Sequence, residues 1–288
     1  MSGVPEVRRL VAPNPSPMTE RGTNTWLIGR EVLAVIDPGP ADEAHLAALT
    51  AAIGGRPVAA ILVTHPHLDH SALAPALAEA TGAPVMAHGG AAEGRSPVMA
   101  RLAAEGLTGG GEGADAAFCP DRRLADGEVI SGPGWALEAL WTPGHMGAHL
   151  SFRLGDDIFT GDLAMGWASS LISPPDGDVA QFRASCRRLL ALGPGRLLPG
   201  HGDVVEAGAA RLSWLLDHRA AREAEIRAAL AATPASPQEL AARLYAGLPP
   251  AMLPAAARNV LAHLIDLTER NLARPEGPLT PDARFHRL

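Results

Sequence analysis

Short apolar runs alternate with helix-length amphipathic stretches through the first two thirds of the chain. Residues 59–63 form an apolar run rich in branched side chains after Pro57, which predicts a buried strand. The next residues, Ser71 to Glu79, predict a helix with Ser71 near its start. Further strands are predicted at 25–29, 32–36, 84–87, 128–130, 136–141, 149–154, 158–160 and 196–198, and further helices at 42–53 and 178–192. Hairpin-like neighbours among alternating strands and helices favour two mixed sheets in a layered α/β body.

The chain changes character after residue 204. Helical patterns occupy 205–231, 236–246 and 255–271, and Ser236-Pro237-Gln238-Glu239 is a typical helix start. We therefore divide the chain into a body at 1–204 and a small helical, winged-helix-like domain at 205–288. From residue 206 onward ten arginines accompany nine acidic residues, so this domain has no basic excess. We expect it to shape a cleft or a homodimer interface rather than to bind duplex DNA.

A glycine-rich segment at 104–117 interrupts the predicted body. Two interpretations remain open for it. It is either a mobile loop at the mouth of a cleft or a disordered spacer.

Composition limits the classes of function. The chain has 288 residues, 47% of them hydrophobic, and a formal net charge of −7, with arginine as its only basic residue besides histidine. This charge argues against non-specific nucleic-acid binding as the main role. The two cysteines, Cys119 and Cys186, lack ligand spacing and favour reduced thiols in a cytoplasmic protein. The sequence has no apolar run long enough to span a bilayer, so we expect no membrane partner.

The strongest chemical signal is the stretch Thr64-His65-Pro66-His67-Leu68-Asp69-His70. It places imidazole and carboxylate groups directly after the predicted strand at 59–63, on a loop that a rigid sheet would aim into a cleft. Imidazole with carboxylate suits zinc, or iron and manganese when more oxygen is present. The stretch therefore predicts a metal site.

Three later strands also end in a polar residue beside glycine. These polar residues are His145, Asp162 and His201. Each alone is a weak signal, because a histidine or aspartate in such a turn often only bonds its neighbours. With His65, His67, Asp69 and His70 they make seven donors, the number that two metals sharing a carboxylate would use.

At this point the sequence resembles the metallo-β-lactamase superfamily over roughly residues 20–205. The resemblance implies an αββα sandwich with the site at one edge between its sheets. It implies that His65, His67 and His145 hold a first metal and that Asp69, His70 and His201 hold a second. It also implies that Asp162 bridges both, with Asp69, His70 and Asp162 as the catalytic residues. The cofactor expected from it is two Zn²⁺ per chain, with iron or manganese as alternatives.

Details of the motif narrow the subgroup. No cysteine occupies a ligand slot, and Asp162 is present where the β-lactamases that keep this histidine motif generally lack an aspartate. The chain is most similar to the LACTB2-like branch, which joins this body to a C-terminal winged-helix segment. The matching tail residues are His218, Arg219, Arg222, Glu223, Asn259, Val260, His263 and Leu264.

The resemblance implies a dinuclear zinc hydrolase that is not an ordinary β-lactamase. A metal-bridging hydroxide would attack an ester, thioester, lactone or phosphodiester, so the partner is a small molecule or single-stranded RNA. One alternative is a mononuclear iron oxygenase of the persulfide dioxygenase type. Another is an endoribonuclease or nucleic-acid-binding protein that acts through the C-terminal domain.

Further residues are candidates for supporting roles. Asp37 and His149 could orient ligand imidazoles, or could be a turn carboxylate and a buried strand histidine. The residues expected to line the pocket, or else to pack as a core loop, are Met165, Gly166, Trp167, Ser169 and Ser170. His45, His88, His218, His263 and His286 have no ligand context and are assigned structural or solvent-facing positions.

Overall fold

The computed structural model describes residues 5–109 and 113–288. The strands of its two larger sheets are β1 (Val7–Val11), β2 (Asn24–Ile28), β3 (Leu33–Ile36), β4 (Val58–Leu62), β5 (Val85–Ala87), β6 (Arg122–Arg123), β7 (Val129–Gly132), β8 (Trp135–Trp141), β9 (Leu150–Leu154), β10 (Asp157–Gly161) and β11 (Arg196–Pro199). A small third sheet holds β12 (Ala273–Pro275) and β13 (Phe285–Arg287). The helices are α1 (Glu43–Ile53), α2 (Leu68–Ser71), α3 (Ala74–Thr81), α4 (Pro97–Ala104), α5 (Val179–Ala191), α6 (Gly208–Ala232), α7 (Pro237–Leu244) and α8 (Leu253–Glu269).

Two mixed sheets lie face to face in the body. The first has the strand order β1-β2-β3-β4-β5-β6 and the second β11-β10-β9-β8-β7. Apolar side chains fill the space between them, among them Trp26 and Leu62 from the first sheet and Phe152 and Phe159 from the second. Apolar side chains from both sheets are removed from water at this interface, and their burial stabilises the packing of the two sheets.

Helices cover the outer face of each sheet. On the first sheet, Leu49 of α1 and Leu77 of α3 join a buried cluster with the outward side chains of β3 and β4. On the second, α5 and the first half of α6 bury Phe182 and Leu215. The predicted αββα sandwich is confirmed.

The C-terminal helices build a separate core with the small sheet. Val260 and Leu264 of α8 pack with Leu240 of α7 and Phe285 of β13, as a winged-helix segment requires. The body also contributes to this core, through Met99 and Leu102 of α4. The winged-helix segment is therefore fixed to the body by shared apolar packing.

The structure differs from the sequence prediction around the histidine motif. A helix was expected to start near Ser71, but α2 begins at Leu68, so Asp69 and His70 lie on a helical turn and not on a loop. Pro75 lies in the first turn of α3 and has no N–H to continue a helical ladder from α2. The prediction of one helix was wrong for that reason.

The sequence did not predict β1, α4 or the short strands β6, β12 and β13. The strand β1 lies in the proline-rich N-terminal stretch, and α4 lies where the hydrophobic pattern weakens. The glycine-rich segment assigned to 104–117 falls partly on residues 110–112, outside the described residues. None of the described helices has the length and apolar character of a membrane-spanning segment.

Candidate metal centre

The predicted donors come together at one edge of the sandwich because the strands that precede them end there. His65 follows β4, His145 follows β8, Asp162 follows β10 and His201 follows β11. The helical turn α2 adds Asp69 and His70. A polar side chain at the end of a buried strand is held by the sheet and still reaches the surface.

Three histidines form a first group. The Nε2 atom of His65 lies 3.0 Å from Nδ1 of His67, which in turn lies 3.1 Å from Nε2 of His145. All three side chains are buried. Their ring nitrogens therefore point at one shared position.

Asp69, His70 and His201 form a second group. Oδ2 of Asp69 lies 3.2 Å from Nε2 of His201 and 3.5 Å from Nε2 of His70. The two histidine Nε2 atoms are 3.3 Å apart. This group has the mixed nitrogen and oxygen donors that divalent ions bind.

Asp162 lies between the two groups. Its Oδ2 is 3.3 Å from Nε2 of His201 and 3.8 Å from Nε2 of His145. Its Oδ1 lies 3.4 Å from Nε2 of His70 and has no hydrogen-bond partner within the described part of the chain. A Cβ at Gly200 would lie 2.6 Å from this Oδ1, so glycine permits the close approach of the two strand ends.

Asp37 and Thr64 orient two of the ring systems. The hydroxyl of Thr64 donates to Oδ2 of Asp37 at 2.8 Å and lies 3.0 Å from Nδ1 of His65, so its oxygen can accept that proton. Nδ1 of His70 lies 2.9 Å from the same Asp37 oxygen. Both imidazoles thus have an oxygen partner at Nδ1, and their Nε2 atoms face the centre.

Backbone carbonyls orient two more. Nδ1 of His145 donates to the carbonyl of Leu171 at 2.8 Å, and Nδ1 of His201 lies 3.3 Å from the carbonyl of Gly22. His149 instead contacts Thr142, with Nδ1 and Oγ1 3.0 Å apart. The structure thus gives Asp37 a hydrogen bond to a predicted ligand, and gives His149 a buried position behind the first group.

The electrostatics of the two groups differ. Burial, together with the nearby His145, lowers the pKa of His67 to about 3, which keeps this ring neutral. Burial also lowers the pKa of His201, but the carboxylates of Asp162 and Asp69 outweigh it and raise that pKa to about 9. The second group therefore attracts positive charge, and a metal ion binding there would displace a proton.

The donor set fits divalent metal ions. Ring nitrogens of neighbouring histidines face one another at 3.0 to 3.3 Å. Four of these rings already have an oxygen partner at their other nitrogen, those of His65, His70, His145 and His201. The facing nitrogens therefore cannot all be satisfied by hydrogen bonds to one another. The buried Asp162 Oδ1 is also left unpaired by the described part of the protein. Buried polar groups normally have partners, and a metal ion bound here would supply one to each of these atoms.

The centre lies in the floor of a cavity of about 780 Å³. Asp69, His67 and Asp162 face this cavity, and much of the opposite wall comes from the C-terminal domain. That wall is formed by Pro250, Ala251, Met252, Leu253, Pro254, Ala257 and Leu261. The expectation that the tail shapes the cleft agrees with this arrangement.

A smaller cavity of about 180 Å³ adjoins the first. Of the residues expected to line a pocket, Met165 lines both cavities, while Trp167, Ser169 and Ser170 line the smaller one. Gly166 lines neither. The five histidines without ligand context stay outside the donor groups found among the described residues.

Sequence reasoning missed the contribution of the loop after Asp162 and of the arginines that hold it. Ser170 lines the smaller cavity, and its hydroxyl also lies 2.5 Å from the carbonyl oxygen of Asp162. Arg219 is fully buried against this loop. Its signal in the sequence is an arginine four residues after Leu215, within the apolar stripe of α6.

Comparison with known proteins agrees with this geometry. The family model described as the metallo-beta-lactamase superfamily matches residues 18–201, and that of the beta-lactamase associated winged helix domain matches residues 236–278. A beta-lactamase-like protein 2 homolog of Drosophila melanogaster is 27% identical over 93% of this chain and 89% of its own length.

Two further proteins are similar. An atrochrysone carboxyl ACP thioesterase of Aspergillus fumigatus is 29% identical over 78% of this chain, but the match covers only 65% of that protein's length. A crystal structure of a metallo-beta-lactamase family protein from Thermus thermophilus superposes with a TM-score of 0.77 at 26% identity, covering 98% of both chains. The fold of nearly the whole chain is thus found in a solved relative of similar length.

Proposed function

Because this chain belongs to the metallo-β-lactamase superfamily, we propose that it is a dinuclear metal-dependent hydrolase acting on an ester or thioester with an apolar acyl group. The observation that carries this proposal is one cavity that is lined by five of the seven donors and by an apolar wall from the C-terminal domain. The five donors are His67, Asp69, His145, Asp162 and His201. Zinc is the metal that the donor set favours, with iron or manganese as alternatives.

The proposed metal ligands are those the sequence indicated. His65, His67 and His145 would hold one ion, and Asp69, His70 and His201 the other, with Asp162 shared between them. Ions bound there would activate a water molecule and polarise the oxygen of the substrate carbonyl. No serine or cysteine lines the main cavity among the described residues, which supports water as the nucleophile.

Asp69 is the donor best exposed to the cavity. Its side chain is 27% exposed, against 11% for Asp162, and its Oδ2 accepts a hydrogen bond from the Thr23 hydroxyl at 3.1 Å. That bond fixes the carboxylate while leaving its edge open to the cavity. We assign Asp69 the role of orienting the attacking water and accepting its proton.

The apolar wall of the cavity supports a substrate whose acyl group is apolar and packs against that wall. Met252, Leu253 and Leu261 face the donors across the cavity, so an acyl chain on the carbonyl carbon would leave water against them. The Aspergillus relative named as a thioesterase makes a thioester the first choice of linkage. A hydrophobic contact of this kind changes specificity by roughly 10–100-fold.

Single-stranded RNA ranks behind acyl substrates. Among the described residues that line the main cavity, Arg258 is the one arginine, and the chain has no lysine. A nucleic-acid strand needs several cationic contacts along its phosphates. The endoribonuclease alternative implied by the sequence resemblance is the reason to keep RNA in the same assay.

The test is hydrolysis of acetyl, hexanoyl and benzoyl thioesters by the zinc-loaded protein, followed by thiol release. We expect kcat/KM to rise from acetyl to the larger acyl groups and to vanish after chelation. Met252→Gln should lower kcat/KM for hexanoyl much more than for acetyl. The control Val129→Gln, on an exposed position of β7, should change neither. Cleavage of single-stranded RNA without thioester hydrolysis would refute the acyl substrate.

A further inference from the structure

The loop at residues 162–173 connects the end of β10 to the approach to α5 and begins with Asp162. It contains no helix or strand, yet Leu163, Ser170 and Ile172 within it are buried. A buried segment without regular structure must find partners for its backbone carbonyls elsewhere. Several of those partners are arginines of the C-terminal domain.

Two of these arginines lie on α6. Arg211 donates from Nε to the carbonyl of Met165 at 2.7 Å and from Nη2 to that of Ala168 at 2.8 Å. Arg219 donates from Nη2 to the carbonyl of Ser170 and from Nη1 to Oδ1 of Asn259 at 2.9 Å. Both side chains thus hold the loop by its backbone.

A third arginine comes from α8. Arg258 donates from Nε to the hydroxyl oxygen of Ser173 at 3.0 Å and from Nη2 to the carbonyl of Thr108 at 2.8 Å. We call Arg211, Arg219 and Arg258 the arginine clamp. These arginines donate hydrogen bonds to the middle of the loop, at residues 165–170, and to its end, at Ser173.

The loop in turn contacts two predicted ligands. The Ser170 hydroxyl lies 2.5 Å from the carbonyl of Asp162 and 2.7 Å from that of Leu163. The next carbonyl, that of Leu171, accepts the Nδ1 proton of His145. A shift of the peptide between Ser170 and Leu171 would therefore move both Asp162 and the ring of His145.

The environment of Arg219 is unusual for a residue whose role is only to fill space in the core. It is fully buried, no carboxylate of the described residues pairs with it, and its guanidinium lies over the ring of Phe182 at 5.0 Å. Burial lowers its pKa to about 10, which leaves it charged at neutral pH. A buried cation that meets only neutral oxygens and a ring is costly, and an apolar side chain would continue the stripe of Leu212 and Leu215.

We propose that the arginine clamp orders the 162–173 loop and thereby positions Asp162 and His145 for metal. The C-terminal domain at 205–288, through α6 and α8, then completes the metal centre and also forms one wall of the cavity. The inference rests on the metal centre of the proposed function, but the order of the loop can be measured without metal.

The first test compares Arg211→Met with Arg56→Met. Arg56 also donates to backbone carbonyls, those of Ile53, Ala52 and Arg30, but it lies just after α1. In the metal-free full chain we expect faster hydrogen exchange over the loop in Arg211→Met only. Co²⁺ binding should weaken about 10-fold or more in that variant and its absorption bands should change, as for other outer contacts of metal ligands. Arg211→Lys should restore part of the affinity.

A second pair of variants keeps the proposal testable if Arg211→Met fails to fold. Arg219→Met tests the buried contact, and Ser170→Ala removes only the link to Asp162 and Leu163, with little change in volume. We expect Ser170→Ala to fold and to bind Co²⁺ more weakly than the unaltered chain. Folded Arg211→Met and Ser170→Ala proteins with unchanged loop exchange and unchanged Co²⁺ affinity would overturn the proposal. If the unaltered chain binds no metal, the proposed function is refuted. The rate of hydrogen exchange in the 162–173 loop would still test whether the arginine clamp orders it.

Discussion

Oδ2 of Asp37 lies 2.9 Å from Nδ1 of His70, and both side chains are buried. The carboxylate also accepts hydrogen bonds from the Thr64 N–H at 2.7 Å and the Thr64 hydroxyl at 2.8 Å. Asp37 adopts a left-handed backbone with φ of 52°, which is uncommon outside glycine. Its strained position brings a negative charge behind a predicted metal ligand.

Asp37→Asn should weaken metal binding about 10–100-fold. Asparagine tolerates the left-handed conformation, so the substitution removes the charge behind His70 with little backbone cost. A competition titration with a chromogenic zinc chelator measures the change. The control is Asp121→Asn, whose carboxylate accepts the Val85 N–H at 2.8 Å away from the centre. Equal zinc affinity in Asp37→Asn and the unaltered protein would contradict the orienting role.

Asp162→Ala should lower metal content from about two equivalents toward one, with hydrolysis falling by orders of magnitude. Two cations held close together need an anion between them, and Asp162 contacts both donor groups. Elemental analysis and turnover of the same preparation give the answer. Asp157→Ala, at the start of the same strand, serves as the control. The bridging role is wrong if Asp162→Ala retains both metals and full turnover.

The two thiols should differ in reactivity. Cys119 is exposed, whereas Cys186 is buried and burial raises its pKa to about 12. A raised pKa favours the neutral thiol, so Cys186 should stay unreactive to iodoacetamide through the neutral range and up to about pH 9. Peptide mass spectrometry of the native protein should find alkylation at Cys119 and at Cys186 only after unfolding. Alkylation of both at similar rates would contradict the buried position of α5 against the second sheet.

Duplex DNA should bind no more tightly than roughly 10 μM at about 50 mM salt. The third helix of the winged-helix segment, α8, buries Val260, Leu261 and Leu264, and its Arg258 contacts the 162–173 loop. This helix therefore has little free surface to enter a groove of duplex DNA. Fluorescence anisotropy with labelled duplex provides the measurement. Sub-micromolar binding that weakens steeply with salt would show that the segment has a nucleic-acid role.

The sequence predicted the elements whose ends carry local signals. The Asp42 side chain accepts from the His45 N–H and starts α1 where it was expected, and Ser236 with Glu239 forms the capping box of α7. The order of donors at strand ends likewise predicted their convergence, because sheet neighbours end at a common edge. The structure brings all seven donors together, while their roles as ligands remain predictions.

Features that depend on tertiary packing could not be predicted. The helix α4 was missed although Ser96 caps it and Pro97 lies in its first turn, the same start signal as in α7. Its position depends on packing, because Met99 and Leu102 lie in the core of the winged-helix segment. The arginine clamp acts through backbone carbonyls, which any residue supplies, so nothing in the loop sequence marks it. In α6 the arginine at position 219 disturbs an apolar stripe, but the stripe alone does not identify its partner.

Metal content tests the central claim most directly. The protein, purified without chelator and refolded or dialysed with zinc, iron and manganese present, should contain about two equivalents of divalent metal per chain, mostly zinc. One equivalent of iron would instead favour the mononuclear oxygenase, in which the second donor group has no ion. Metal content near zero after this supplementation would contradict the account, since the seven donors would then not form a metal centre.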